Sequence, residues 1–202
     1  MGLFDRFLFE KPPPRTAVVA KEIRRRVWPY LKSIGFTRFA PRTAWRTWQY
    51  GVDIVNLRCI TNLPSVPPTS FGVHIAVYYP ACPPREEVRR YPPESDGAAR
   101  RVLAKGLKQE VLPRRDVWWV ERDASNAREG VEDALEQLRR VAPGWFDEFH
   151  DLGRAVDAFA NRGNSFMARG IIEEDLGGTL GSPYRVERLR ALEALRLKLS
   201  KA

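Results

Sequence analysis

Chemistry-bearing residues are scarce in this chain: two cysteines, two histidines and two methionines in 202 residues. Cys59 and Cys82 form no C-x-x-C pair, which argues against a zinc ribbon, and with no signal peptide the two thiols point to a reducing, cytoplasmic setting in which a bridge between them is not expected. His74 and His150 cannot make a three-histidine zinc site, and no cysteine, histidine or carboxylate cluster has metal-ligand spacing. No apolar run approaches the roughly 18 residues of a membrane span. "GGTLGSP" lacks the Lys-Ser/Thr ending of a P-loop, and no G-x-S-x-G nucleophile elbow occurs. These absences weigh against enzymes of familiar mechanism, and no cofactor is expected.

What the chain does have is positive charge: 34 lysines and arginines against 25 acids, a formal net charge of +9. Such an excess admits nucleic acid, anionic membrane or acidic protein as partners through long-range attraction. An apolar fraction of 44% is enough for a packed core, which argues against global disorder.

The hydrophobic pattern divides the chain into an N-terminal tail and proline linker at 1–14, a domain at 15–160, a Gly-rich loop at 161–181 and a C-terminal amphipathic helix at 182–202. In the tail, Leu3, Phe4, Phe7 and Leu8 recur at helical spacing ahead of Pro12, Pro13 and Pro14. Residues 1–10 are therefore either a peripheral docking piece or, the preferred reading, a helical turn folded back on its own domain. Residues 15–34 read as a helix with Val19, Ile23, Val27, Leu31 and Ile34 in one stripe. Pro29 is expected to kink or split it, and Gly35 to end it in a left-handed cap under Phe36.

Strands follow at 43–50, 53–61 and 70–80, then at about 102–111 and at "DVWWVER", 116–122. In the third, Phe71, Val73, Ile75, Val77 and Tyr79 alternate with His74, Ala76 and Tyr78. From Asp123 the period becomes helical, with Ser125 as the expected cap of a helix through 140 and one or two short helices after it. The last helix carries Val186, Leu189, Leu192, Leu195 and Leu199 as its stripe. Helix, strands, then helices predict an α+β fold, an antiparallel sheet of about five strands packed with an N-terminal helix and C-terminal helices.

Candidate binding residues are Arg24, Arg25, Arg46, Trp48, His74, Trp118, Arg114 and Arg115. They belong to a broader basic set with Arg26, Arg42, Lys105 and Lys108, interleaved with Trp45 and Trp119. Single-strand binders pair such a groove with aromatic faces. Adjacent strand residues point to opposite faces, however, so at most one of Trp118 and Trp119 belongs to any platform. His74 on a strand reads as a satisfied structural histidine. His150, in "FDEFHD", has Asp147 and Asp151 as candidate carboxylate partners. Asp53, Glu121 and the run Glu173, Glu174 and Asp175 are the only acids that suggest a metal-dependent nuclease.

Several stretches together carry a family likeness: "YLKSIGFTRFAPRTAWRTW", "GVDIVNLRC", "SFGVHIAVYYP", "DVWWVERDASNAREGVEDALEQL" and "GWFDEFHDL". In order and spacing, residues 15–160 resemble the bacterial domain-of-unknown-function family numbered 4304. His74 stands where that family commonly has Asn, and Ala76 where it has Gly. The resemblance implies the α+β arrangement and carries no catalytic residue or ligand. The expectation that follows is a non-catalytic protein-binding module of the bacterial cytosol, toxin-neutralising or defence-associated in one form. A nucleic-acid-binding protein is the alternative, and a metal-dependent nuclease stands third.

Overall fold

A computed structural model of the chain describes residues 15–59, 67–81, 103–106, 117–161 and 183–201. The tail at 1–14, Cys82, Lys108, Arg114, Arg115, the acids at 173–175 and the Gly-rich loop lie outside the described residues.

The first helix, α1 (Arg15–Ser33), buries the expected stripe: Val19, Ile23 and Leu31 are fully covered and Val27 nearly so. Pro29 neither splits nor ends it. Its side chain is exposed, and the turns on either side are anchored by Val27, Trp28 and Leu31. Burial of that anchor outweighs one lost backbone hydrogen bond. The helix then stops in a Schellman motif. Gly35 takes φ +91°, its N–H donates to the Lys32 carbonyl at 3.1 Å, and the Phe36 N–H donates to the Leu31 carbonyl at 2.9 Å. Phe36 is thereby folded under the helix and buried.

Strands β1 (Arg38–Phe39), β2 (Thr43–Thr47), β3 (Val52–Cys59), β4 (Phe71–Tyr78) and β5 (Leu103–Gly106) form one antiparallel sheet in the order β1-β2-β3-β4-β5. A tight hairpin joins β2 to β3, with Trp48 N–H donating to the Gly51 carbonyl. Register puts Ala44 opposite Val55, and Val55 opposite Ile75. That face meets α1 and α2 (Ala127–His150) in one core running from Val19 through Phe71 to Phe149. The opposite face carries a smaller apolar cluster of Trp45, Ile54 and Ala76, with Ala40, Val52 and Tyr78 against it.

The expected strand at 116–122 is a single bridge instead, Trp118 to Phe71. Side chains replace the ladder: the Thr69 hydroxyl donates to the carbonyls of Val120 and Glu121, and Val120 N–H donates to Ser70 Oγ. The two-sided reading of its side chains holds nonetheless. Trp118 and Val120 are buried, while Trp119 is 42% exposed.

The cap of α2 also differs from expectation. Asn126 occupies the N-cap position without a side-chain cap bond. Its amide reaches back instead, accepting from Glu121 N–H and donating to the Trp119 carbonyl. Ser125 donates its own N–H to Asp123 Oδ1. From there α2 runs unbroken through Pro143, because Trp145, Phe146 and Phe149 anchor the turn beyond it in the core. The break comes at Asp151, whose Oδ1 accepts from Gly153 and Arg154 N–H and so caps α3 (Leu152–Asn161). The last helix, α4 (Pro183–Leu199), packs on α3 and buries Leu192 completely, but Val186 stands outside the buried stripe.

Candidate functional site

The strongest concentration of polar chemistry lies where the ends of α1 and α2 meet the sheet. Asp53 on β3 points into the core face and is fully buried. The β2–β3 register places Arg46 directly across from it. Arg46 Nε donates to Asp53 Oδ2 at 2.7 Å, and its NH2 nitrogen lies 2.7 Å from the same oxygen without hydrogen-bond geometry. The NH1 group donates to the Ile34 carbonyl at 2.8 Å, holding the C-terminal end of α1. The rings of Phe36 and Phe146, in contact with each other, each lie 5.3 Å from the guanidinium carbon, so two aromatic rings line one side of the cation.

His150, the last residue of α2, completes the group. Its Nε2 lies 3.0 Å from both oxygens of Asp53. A carboxylate can only accept, so this contact puts the proton on Nε2 and leaves Nδ1 as the open nitrogen. Trp48 stacks over the imidazole with ring centroids 4.3 Å apart, and Tyr50 and Tyr79 meet the indole edge-on. Tyr79 in turn donates to the Phe149 carbonyl, one residue before His150. The partner of His150 is thus Asp53, 97 residues away, rather than Asp147 or Asp151.

An imidazole held by a buried carboxylate is the orienting half of a general-base dyad. Among the described residues no serine, cysteine or threonine is hydrogen-bonded to it. Both oxygens of Asp53 are engaged, Oδ1 by His150 and Oδ2 by His150 and Arg46. Among the described residues no group of three or more His, Cys, Asp or Glu stands together as a metal site. Through these contacts one buried anion ties the hairpin to the ends of two helices.

The sequence-selected residues do not share a surface. Arg46 and Trp48 belong to the cluster just described. His74 lies on the opposite face of the sheet, in register with Asn56. Trp118 is 2% exposed, stacks on Phe71 and donates its indole N–H to Asp133, so the exposed tryptophan of the pair is Trp119. Arg24 and Arg25 are exposed on α1. Lys21 joins them one turn earlier, and the spacing i, i+3, i+4 puts all three on one helical face. None of the three makes an ion pair among the described residues. Arg26, turned the other way, is bound by Glu22 and by Glu132 of α2.

Comparison with protein-family models, curated proteins and solved structures finds no match for this chain. No helix among the described residues is long and apolar enough to cross a membrane. Sequence reasoning found Arg46, Asp53 and His150 individually. The pairing it missed depends on strand register and on how far α2 runs past Pro143.

Proposed function

We propose that the protein is a non-catalytic binding module that docks an acidic partner protein on α1. The observation that carries this is the contrast between the interior and α1. Inside, the Asp53 carboxylate is held by Arg46 and His150; on α1, Lys21, Arg24 and Arg25 are exposed and without carboxylate partners among the described residues. Three cations on one helical face with no internal counter-charge repel one another, a pattern that an anionic surface relieves.

A protein is favoured over single-stranded nucleic acid because five of the six tryptophans are spent on structure and Trp119 stands alone as an exposed one. Trp45, Trp118 and Trp145 are buried, and Trp48 has its ring faces and edges engaged by His150, Tyr50 and Tyr79. A stacking platform needs open aromatic faces. The partner is expected to be bacterial and cytosolic, and a toxin neutralised by this chain is one form it takes.

The test is affinity capture from the native host with the wild-type chain and with a Lys21→Ser, Arg24→Ser, Arg25→Ser variant. A partner retained by the first and lost by the second supports the proposal. Binding to nucleic acid, with log affinity falling against log salt by about 0.9 per phosphate contacted and no protein captured, overturns it.

A further inference from the structure

Helix α4 has apolar residues on two opposite sides. Its inner arc holds Arg188, Leu192, Leu195 and Leu199, with Leu192 at 0% exposure and Leu195 and Leu199 packed against the core. On the outer arc Val186 is 36% and Leu197 53% exposed. With Trp119 they are the large hydrophobic side chains left exposed among the described residues. A globular protein normally gives a surface helix a single apolar stripe, so two large apolar side chains in line on the far side single this face out.

The outer positions 186, 190, 193 and 197 follow the 4-3-4 spacing of a coiled-coil seam. They read Val, Arg, Glu, Leu. Arg190 and Glu193 make no ion pair within the chain among the described residues. This short pattern is its own complement under reversal: an antiparallel copy puts Val186 opposite Leu197 of the partner subunit and Arg190 opposite Glu193 of the partner subunit. A two-fold axis repeats each pair, giving four layers with apolar contacts outside and ion pairs inside. A parallel copy would oppose like charges in both inner layers. We propose that α4 is a self-association surface and that two copies of this chain pair through it as antiparallel helices. The site lies on a different helix from the proposed α1 docking face, and each stands or falls alone.

Two seventeen-residue helices meeting along one stripe bury less than the roughly 1,200 Å² of standard stable interfaces, so the dimer is weak and concentration-dependent. Sedimentation equilibrium of the full chain up to about 1 mM is the assay, with circular dichroism as the check on folding. The wild type is expected to associate reversibly. R190E sets carboxylate against carboxylate in both inner layers and is expected to weaken association about tenfold. The double swap R190E/E193R restores each pair in reversed sense and should return association to within about threefold of wild type. An equimolar mixture of the R190E and E193R single variants should form mixed dimers in preference to either alone. A wild type that stays monomeric overturns the proposal. So does association that R190E leaves unchanged, or that the double swap fails to restore; all substitutions are at the outer arc, so the swap separates lost pairing from lost folding.

Discussion

Replacing Asp53 by Asn keeps the shape of the side chain and removes the one anion at the junction of hairpin, α1 and α2. Because the change is nearly isosteric it opens no cavity, and the whole cost is electrostatic. Asp53 is fully buried, so its charge is exchanged for nothing that water can replace. Breaking a buried pair by removing one partner typically costs about 3–5 kcal/mol. Arg46 is 21% exposed and keeps its bond to the Ile34 carbonyl, which places Asp53→Asn at the lower end, about 3 kcal/mol. For a chain of this length that lowers Tm by about 6–12 °C. Urea unfolding followed by tryptophan fluorescence and far-UV circular dichroism measures it. Adding Arg46→Met removes the stranded cation while leaving an unbranched chain against Phe36 and Phe146. The double variant should therefore be less destabilised than the two single losses summed, with a coupling of about 1.5–3 kcal/mol. A loss below about 1 kcal/mol in Asp53→Asn at unchanged urea slope, or additive single losses, would refute the strut.

Gly51→Ala brings a methyl carbon 2.7 Å from Trp48 Cζ2, and that indole is bracketed by His150, Tyr50 and Tyr79. It should cost about 1–3 kcal/mol and change the near-UV circular dichroism of the tryptophans, since the ring has to leave His150. Gly35→Ala meets both the +91° φ and Arg46 Cδ at 3.3 Å, so a loss of about 1 kcal/mol or more is expected in thermal melts, with Gly35→Asn milder. Burial raises the Tyr30 phenol above the usual tyrosine range, against the opposing guanidiniums of Arg139 and Arg46. A group raised on folding contributes stability that is present below its unfolded value of 10.0 and lost as pH climbs through the folded one. Absorbance at the phenolate band should therefore lose a late-titrating component in Tyr30→Phe, and the variant's stability should fall less steeply above that pH.

Several elements were legible because one local rule settles each. The α1 stripe is a 3.6-residue period, and Gly35-Phe36 is the punctuation that a left-handed cap requires. Alternation in 71–79 told the two faces of β4 apart, and alternation in 117–120 separated Trp118 from Trp119. Those readings involve neighbours in sequence, where periodicity and backbone sterics act alone.

The sequence misled where burial elsewhere outweighed a local preference. Pro29 read as a kink or a split and the next helix as ending at 140, yet both helices continue past their prolines, because Trp28 and Leu31 on either side of Pro29, and Trp145, Phe146 and Phe149 beyond Pro143, are anchored in the core. The strand expected at 116–122 became a single bridge because the hydroxyls of Thr69 and Ser70 took the backbone partners that a ladder would supply.

By itself, then, the sequence determined the class of fold, the inward stripe of α1, the faces of β4 and the scarcity of catalytic side chains, all of which follow from composition and short-range period. Only the tertiary structure decided that Asp53, Arg46 and His150 form one group, since that needs the register of β2 on β3 and the reach of α2 beyond Pro143. It likewise decided which cations remain uncompensated. Arg26 is three residues or fewer from Arg24 and Arg25 and identical in chemistry. Yet it alone is neutralised, by Glu22 one turn earlier on α1 and by Glu132, which the packing of α2 brings within its reach.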